Sequence, residues 1–415
     1  MGINSGDSAF MLISAALVFL MTPALAFFYG GMSGRKNVLN TIFTSFIMCG
    51  ISSVLWIVIG YSLSFGKDIH GIIGGFNYLF FNNVSVDPNV VYASTIPETL
   101  FATFQMMFSI VAPALITGAL VGRMKFSSLL MFITSWLFLV YYPLTHMVWG
   151  DGGLIRALGA VDFAGGNVVH ISSGITGLVV CIMIGKRRGH GMVSYKPHNI
   201  PFVVLGAGLL WFGWFGFNSG SALGSGTLAI TAFLTTNTSA ATGLLSWILI
   251  EKIKNGKPTL LGAATGAVVG LVAITPAAGF VPIWASLIIG ALVSPICFFF
   301  MTTVKKKFGY DDALDAFGCH GIGGIWGGIA TGLFANTSIN PSLQGNGLFY
   351  GDTKLFVAQI ISIIITIAIT ASMSFIIMSI IQLFMDVRVS KFDEANGLDL
   401  SEHDESAYPA YIGLD

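Results

Sequence analysis

The chain has 415 residues, of which 54% are hydrophobic and only 9% are Asp, Glu, Lys or Arg, and its formal net charge is zero. Soluble domains carry roughly 25% charged residues, so this composition excludes a soluble enzyme and a disordered regulator. The neutral balance also provides no basic field for a polyanion, which excludes a nucleic-acid-binding protein. The composition therefore predicts a polytopic membrane protein.

Apolar stretches long enough to cross a bilayer recur along the whole chain. A spanning helix needs about 20 mostly apolar residues, because the hydrocarbon layer is about 30 Å thick. Eleven stretches meet this requirement: about 8–31, 38–65, 95–121, 126–149, 166–185, 200–220, 228–251, 259–277, 282–304, 315–335 and 353–385. The runs are continuous and lack the alternation of barrel strands, so we expect an all-α bundle of eleven transmembrane helices.

The basic residues predict how this bundle is oriented. The loops on one face, together with the C-terminal segment, hold 16 of the 19 basic residues, whereas the other face holds Lys67, Arg156 and Lys354. The positive-inside rule then places the N-terminus outside and the C-terminus inside. The first stretch contains a cleavage-like Ala-Leu-Ala at residues 24–26, but Asp7 stands where a signal peptide has basic residues. We therefore expect an uncleaved first helix.

The chain divides into two predicted regions, a transmembrane domain at residues 1–385 and an acidic tail at residues 386–415. The tail holds eight acidic residues against two basic ones. Because it is too short for a domain, it is either a solvated tail or a docking segment for the inner loops. Composition alone favours the solvated tail.

Two histidines lie inside predicted spans, where ionisable side chains are expensive and usually functional. His170 follows Asp162 and opens the fifth span from outside, and His320 follows Asp315 and opens the tenth span from inside. Five helices in each half, plus one extra helix, suggest an inverted repeat that brings both histidines to a substrate path. The alternative is two unrelated core histidines bonded to backbone carbonyls. A metal site is not expected, because a third ligand is missing at suitable spacing.

Aromatic residues form a second pattern near the predicted outer ends of spans. A lone Trp149 there would be an interfacial anchor, but Trp214 and Phe217, with Ser221 beyond them, are too dense and too interleaved with glycine for an anchor alone. Aromatic faces attract cations by roughly 0.5–2 kcal/mol. A path with hardly any carboxylate favours a small cation that is able to release a proton.

Several motifs together resemble the ammonium transporter (Amt/Mep/Rh) family. They are Met21-Thr-Pro-Ala-Leu-Ala-Phe-Phe-Tyr-Gly-Gly31, Asp162-Phe-Ala-Gly-Gly-Asn-Val-Val-His170, Trp214-Phe-Gly-Phe-Asn-Ser-Gly-Ser221, Asp315-Ala-Phe-Gly-Cys-His320-Gly and Gly397-Leu-Asp-Leu-Ser-Glu-His403. The resemblance covers nearly the whole chain. It implies an eleven-helix fold, a pore in each subunit and a homotrimer in the cell membrane.

The resemblance also assigns eight residues to the conduction path. They are Phe108, Trp149 and Ser221 in an outer ammonium recruitment site that Asp162 supports, Phe108, Phe217 and Trp214 at a gate, and His170 and His320 in a proton relay. The tryptophan and serine of the outer site favour the Amt branch over the Rh branch.

The implied function is recruitment of ammonium, its deprotonation and conduction of ammonia, without a cofactor or an enzymatic step. By the same likeness, the tail packs under the inner loops and helps a PII-type regulatory protein to close the pore. A neutral-gas facilitator of the Rh kind is the main alternative. A membrane hydrolase would need a nucleophile or metal ligands in the bundle, and an ammonium sensor would normally carry a signalling domain.

Overall fold

The computed structural model describes residues 2–409; Met1 and residues 410–415 of the two predicted regions lie outside the described residues. Eleven long helices lie within residues 2–409, numbered in chain order: α1 Ser5–Met32, α2 Arg35–Phe65, α3 Glu98–Thr117, α4 126–149, α5 Gly166–Ile184, α6 Ile200–Gly220, α7 Thr227–Asn255, α8 Leu260–Ile274, α9 Ile283–Phe308, α10 317–334 and α11 Lys354–Phe384. Each helix coincides with one of the eleven apolar stretches.

Eight of these helices, α1 to α6, α9 and α11, are long and apolar enough to cross a membrane individually. The all-α polytopic architecture is therefore confirmed. The number of spans and the outward N-terminus remain predictions, because the helices alone do not show which side each end faces.

The helices approach one another closely where glycine replaces larger side chains. A Cβ on Gly206 of α6 would lie 2.7 Å from the Ala24 carbonyl oxygen of α1. A Cβ on Gly174 of α5 would lie 2.2 Å from the Gly321 nitrogen of α10. Small residues permit such backbone contact in lipid, where the hydrophobic effect does not drive helix association. The contact between α5 and α10 brings the two histidine-bearing helices together.

Both of these helices begin with a π-helical turn, Gly166–Ile171 in α5 and Phe317–Gly321 in α10. Further π-helical turns lie within α2, α4 and α9, at Trp56–Gly60, Leu137–Tyr141 and Phe300–Val304. Such a turn has hydrogen bonds from residue i to residue i+5, and it is frequent at functional sites. His170 and His320 each lie on one of these turns.

The described strands all lie between α2 and α3. They form two short antiparallel sheets, β1 Asp68–Ile69 with β2 Ile73–Gly74, and β3 Pro88–Asn89 with β4 Ala93–Pro97. β4 leads directly into α3, so the segment that carries both sheets lies beside the start of that helix.

The tail contains two short helices, α12 Lys391–Asn396 and α13 Leu398–His403. The Asp399 carboxylate accepts a hydrogen bond from the Asn40 backbone N–H of α2 at 2.9 Å, and the Glu402 carboxylate accepts one from the Phe126 N–H of α4 at 2.8 Å. The preference for a solvated tail is therefore wrong for residues 386–409. Composition could not reveal the docking, because the partners of these acidic side chains lie more than 250 residues earlier in the chain.

Candidate functional site

A cavity of about 490 Å³, which we call the outer cavity because it lies on the predicted outer side, opens between the ends of α3, α4 and α6. Phe108 of α3, Trp149 of α4 and Ser221 after α6 line it together. The Trp149 indole N–H donates to the Asp162 carbonyl at 2.8 Å, and the Ser221 hydroxyl donates to the Phe217 carbonyl at 2.9 Å. Because the Ser221 hydrogen is already committed, its oxygen is left to accept a hydrogen bond from a cation.

Two phenyl rings in close contact, tilted by 34° to each other, lie at the inner end of this cavity. The Phe108 and Phe217 ring centroids are 4.3 Å apart, and both side chains are buried. Trp149 meets the Phe108 ring edge-on at 6.0 Å, so a cation in the cavity faces aromatic surface. The structure thus brings Phe108 and Trp149, from two separate segments, next to the segment that carries both Phe217 and Ser221.

The two histidines lie immediately beyond the phenyl pair. The His170 ring is 6.2 Å from the Phe217 ring and 5.4 Å from the His320 ring, and the two imidazole planes differ by 19°. Trp214 stacks on His170 at 5.5 Å, while its indole N–H donates to the Thr275 hydroxyl at 2.9 Å. Trp214 therefore borders the histidine pair as well as the phenyl pair.

The histidines are buried without the partners that a purely structural role would provide. Within residues 2–409, neither ring nitrogen of His170 has a hydrogen-bond partner, and Nδ1 of His320 has none. This contradicts the alternative of core histidines bonded to backbone carbonyls. Buried polar groups are normally paired, so unpartnered imidazole nitrogens are available to a molecule in the path.

A larger recess, of about 830 Å³, reaches His320 from the opposite side. We call it the inner vestibule; Tyr29, Trp247, Glu251 and Cys319 are among its lining residues. The outer cavity, phenyl pair, histidine pair and inner vestibule therefore follow one another across the bundle. Among residues 2–409, there is no group of three or more His, Cys, Asp or Glu side chains placed to hold a metal ion.

Two buried aspartates hold the starts of the histidine-bearing helices. The Asp162 carboxylate accepts three backbone N–H bonds, from Gly165, Gly166 and Asn167 at 2.7–2.8 Å. The Asp312 carboxylate accepts two, from Ala316 at 3.0 Å and Phe317 at 2.8 Å. Anionic groups are stabilised at helix N-termini by the free N–H groups and the helix dipole. Each aspartate therefore fixes where its helix begins.

The desolvation of these carboxyl groups opposes their charge. Burial raises the pKa of Asp162, although its backbone donors act in the opposite direction, and burial likewise raises the pKa of Asp312. The sequence reasoning missed Asp312 and began the comparison at Asp315, which instead pairs with Lys305 at 2.7 Å. Equal spacing would have found it, because Asp162 precedes His170 and Asp312 precedes His320 by eight residues.

His146, near the end of α4, is a further buried histidine. Its Nδ1 lies 2.9 Å from the Ser64 carbonyl oxygen, and its Nε2 lies 2.9 Å from an Asp68 carboxylate oxygen. Both ring nitrogens thus face acceptors and join the end of α4, which carries Trp149, to the end of α2. The sequence held no local signal for this pairing, because the partners are about 80 residues away.

The comparisons with known proteins agree with this arrangement. The model of the Ammonium Transporter Family matches residues 9–408. The chain is 53% identical over 403 residues to an ammonium transporter of Bacillus subtilis (strain 168), covering 97% of this chain and 98% of that one. It is 46% identical to ammonium transporter Amt1 of Archaeoglobus fulgidus, with 98% and 100% covered. The crystal structure of Saccharomyces cerevisiae Mep2 superposes with a TM-score of 0.90 at 32% identity, covering 99% of this chain and 94% of that one. The chain is a multi-pass membrane protein that belongs to the Ammonium Transporter Family.

Proposed function

We propose that this chain takes up ammonium in the outer cavity, removes a proton near the phenyl pair and conducts ammonia past the two histidines to the inner side. The observation that carries this proposal is the continuous succession of an aromatic cavity, a closed ring pair, two adjacent imidazoles and an open vestibule. Membership of the Ammonium Transporter Family identifies the transported species.

The outer cavity supplies three groups suited to ammonium. The Phe108 and Trp149 rings provide aromatic surface for the charge, a contact worth about 2 kcal/mol when desolvated. The Ser221 oxygen accepts one N–H bond, which replaces part of the lost hydration. The Asp162 carboxylate is occupied by three backbone amides, so it supports this wall rather than contacting the ion.

The buried section beyond the rings favours the neutral molecule. A bare monovalent ion pays a large desolvation penalty in an apolar path, and the phenyl pair is closed and fully buried. Ammonia avoids that penalty once the proton has left. A neutral imidazole offers one donor and one acceptor nitrogen, so His170 and His320 can pass the proton along their 5.4 Å separation. Potassium has no proton to release and is excluded.

Electrical recording from the protein reconstituted in a planar bilayer tests this mechanism. We expect ammonium to evoke a current, with a reversal potential that depends on pH because a proton moves with each ammonia. His170→Asp and His320→Glu should relax the exclusion of potassium, whereas His70→Asn, which changes an exposed histidine of the β1–β2 turn, should not. A histidine variant that excludes potassium as well as the wild-type protein would refute the relay. Ammonia flux without current would favour the neutral-gas alternative.

The family resemblance suggests two assemblies, and we propose both for this chain. The first is a homotrimer with one pore in each subunit, which mass measurement of the detergent-solubilised protein would test. The second is a complex with a PII-type protein on the inner side. The docked tail supports the second proposal, because Asp399 and Glu402 place α13 beneath the starts of α2 and α4. A partner that displaced the tail would reach both helices.

A further inference from the structure

The first turn of α1 lies against the loop that follows Ser221. One Asp7 carboxylate oxygen accepts two hydrogen bonds from Ser225, from its backbone N–H at 2.9 Å and from its hydroxyl at 2.9 Å. A Cβ on Gly224 would lie 3.3 Å from the same carboxylate, so the loop packs directly on Asp7. The Asn4 side chain accepts a hydrogen bond from the Asp7 N–H at 3.1 Å and caps α1, so it holds the first turn of this helix in place.

The loop held in this way forms part of the outer cavity. It joins the end of α6 at Gly220 to the start of α7 at Thr227, and its residues Ser221, Ala222 and Leu223 line the cavity. Leu223 has a φ of +57°, a left-handed conformation that leucine rarely adopts. Such a conformation persists where the surrounding contacts fix it. The pair of hydrogen bonds from Ser225 to Asp7 is one of those contacts.

The same turn of α1 also reaches the opposite wall of the cavity. The Asn4 backbone N–H donates to the Thr95 carbonyl of β4 at 2.8 Å. β4 continues into α3, the helix that carries Phe108. The start of α1 therefore connects the segment before Phe108 with the loop after Ser221, so it links two of the three recruitment groups.

We propose that Asp7 is a positioning residue, which holds the loop 221–226 in register so that the Ser221 oxygen faces ammonium in the outer cavity. This inference rests on the proposed function, because it assumes that Ser221 binds the ion. Asp7 acts through Ser225 and does not itself contact the ion. It should set the concentration at which the cavity fills, while leaving the rate of the later steps nearly unchanged.

The experiment measures ammonium-evoked current against ammonium chloride concentration in reconstituted membranes. Asp7→Ala removes the acceptor and should raise the half-saturation concentration about fivefold, in keeping with the loss of one or two hydrogen bonds, with a maximal current within about twofold of wild type. Ser225→Ala, which keeps the backbone bond, should give a smaller shift in the same direction. If Asp7→Ala does not insert into the membrane, Ser225→Ala tests the proposal in its place.

Asp7→Asn separates positioning from simple attraction of cations by a negative charge. An asparagine oxygen still accepts from Ser225, so this variant should restore most of the wild-type half-saturation. Asp87→Asn is the matched control, since it removes the same charge from an exposed site of the segment between α2 and α3. Shifts of equal size for Asp7→Ala, Asp7→Asn and Asp87→Asn would overturn the inference, because they would show an effect of charge alone.

A parallel measurement on Ser221→Ala distinguishes the two levels of the argument. If Ser221→Ala raises the half-saturation concentration and both Asp7→Ala and Ser225→Ala leave it unchanged, the positioning role is wrong and the recruitment site stands. If Ser221→Ala itself has no effect, the proposed recruitment site fails, and the role of Asp7 fails with it.

Discussion

The two approaches to the histidine pair differ in how they are closed. From the outer side, His170 lies behind the Phe108 and Phe217 rings, whose centroids are 4.3 Å apart. From the inner side, a recess of about 830 Å³ extends to His320, and the aromatic pairs among its described lining residues are wider, with ring centroids 5.6 Å and 5.9 Å apart. In the proposed mechanism, the ion loses its water at the outer side, where the tight aromatic closure lies. In the proposed mechanism, the inner side only has to release a neutral molecule, and it is the side on which the tail docks.

Beneath this difference, the two approaches share one device, a buried aspartate eight residues before each histidine. Asp162 accepts three backbone amides and Asp312 accepts two. The outer helix start is thus held by one more bond than the inner one. This difference in the number of bonds can be tested by mutation.

The largest expected effect comes from removing these carboxylates. Each buried amide that loses its acceptor costs about 1–3 kcal/mol, so Asp162→Ala should lower the free energy of unfolding by more than about 3 kcal/mol and Asp312→Ala by about 2 kcal/mol or more. Thermal unfolding in detergent measures both losses. Asp151→Ala, at an exposed aspartate after α4, serves as the control. A greater loss for Asp312→Ala would contradict the difference between the two ends.

A smaller effect is expected at the inner surface, where the tail docks at Gly397. This residue has a φ of +100°, and a Cβ there would lie 2.3 Å from the Lys36 Cβ and 2.5 Å from the Lys36 carbonyl oxygen. Gly397→Ala should therefore expose the tail to limited proteolysis and lower or deregulate ammonium transport, without preventing insertion. Deletion of residues 386–415 should act in the same direction.

Gly256→Ala is the matched control for the tail. Gly256 also has a positive φ, +79°, but a Cβ there would meet nothing within 4 Å. Alanine there therefore meets a positive φ, in the left-handed α region, without the clash. A regulatory role for docking would be excluded if proteolysis, transport and PII binding were unchanged in both Gly397→Ala and the deletion.

The smallest expected effect concerns the side of the membrane from which a thiol reagent can reach Cys319. Cys319 lines the inner vestibule beside His320 and is 7% exposed. A small, charged thiol reagent should reduce the current partly and slowly when it is added on the inner side. It should have no effect from the outer side, because the phenyl pair intervenes. Cys319→Ser should abolish the inhibition, and block from the outer side alone would reverse the assigned difference between the two approaches.

The sequence predicted what depends on local composition. Long apolar runs required helices, and the eleven stretches coincide with α1 to α11 because each can satisfy its own backbone hydrogen bonds. The motifs also placed His170, His320, Phe217 and Trp214 on the correct helices, since their spacing within a helix is local. Their mutual contacts could be anticipated only through the inverted repeat and the family resemblance.

What could not be predicted depends on contacts between distant segments. The pairing of His146 with Asp68, the bonds of Asp399 and Glu402 to helix starts, and the hold of Asp7 on Ser225 each join residues 78 or more positions apart. Single charged residues in loops give no sign of such partners. Asp312 is the exception, because its spacing to His320 repeats that of Asp162 to His170 and could have been noticed.

The π-helical turns that carry His170 and His320 make the proposed path sensitive to insertions and deletions. Each residue advances an α-helix by about 100° around its axis, and a π-helical turn accommodates one residue more than an α-helical turn. Deletion of one residue from Gly166–Ile171 or Phe317–Gly321 would leave the apolar length of the helix almost intact. It would also return the turn to α-helical geometry and so change the direction of the imidazole that lies on it. A change in chain length of one residue can therefore abolish conduction in this fold while the hydropathy profile of the chain stays the same.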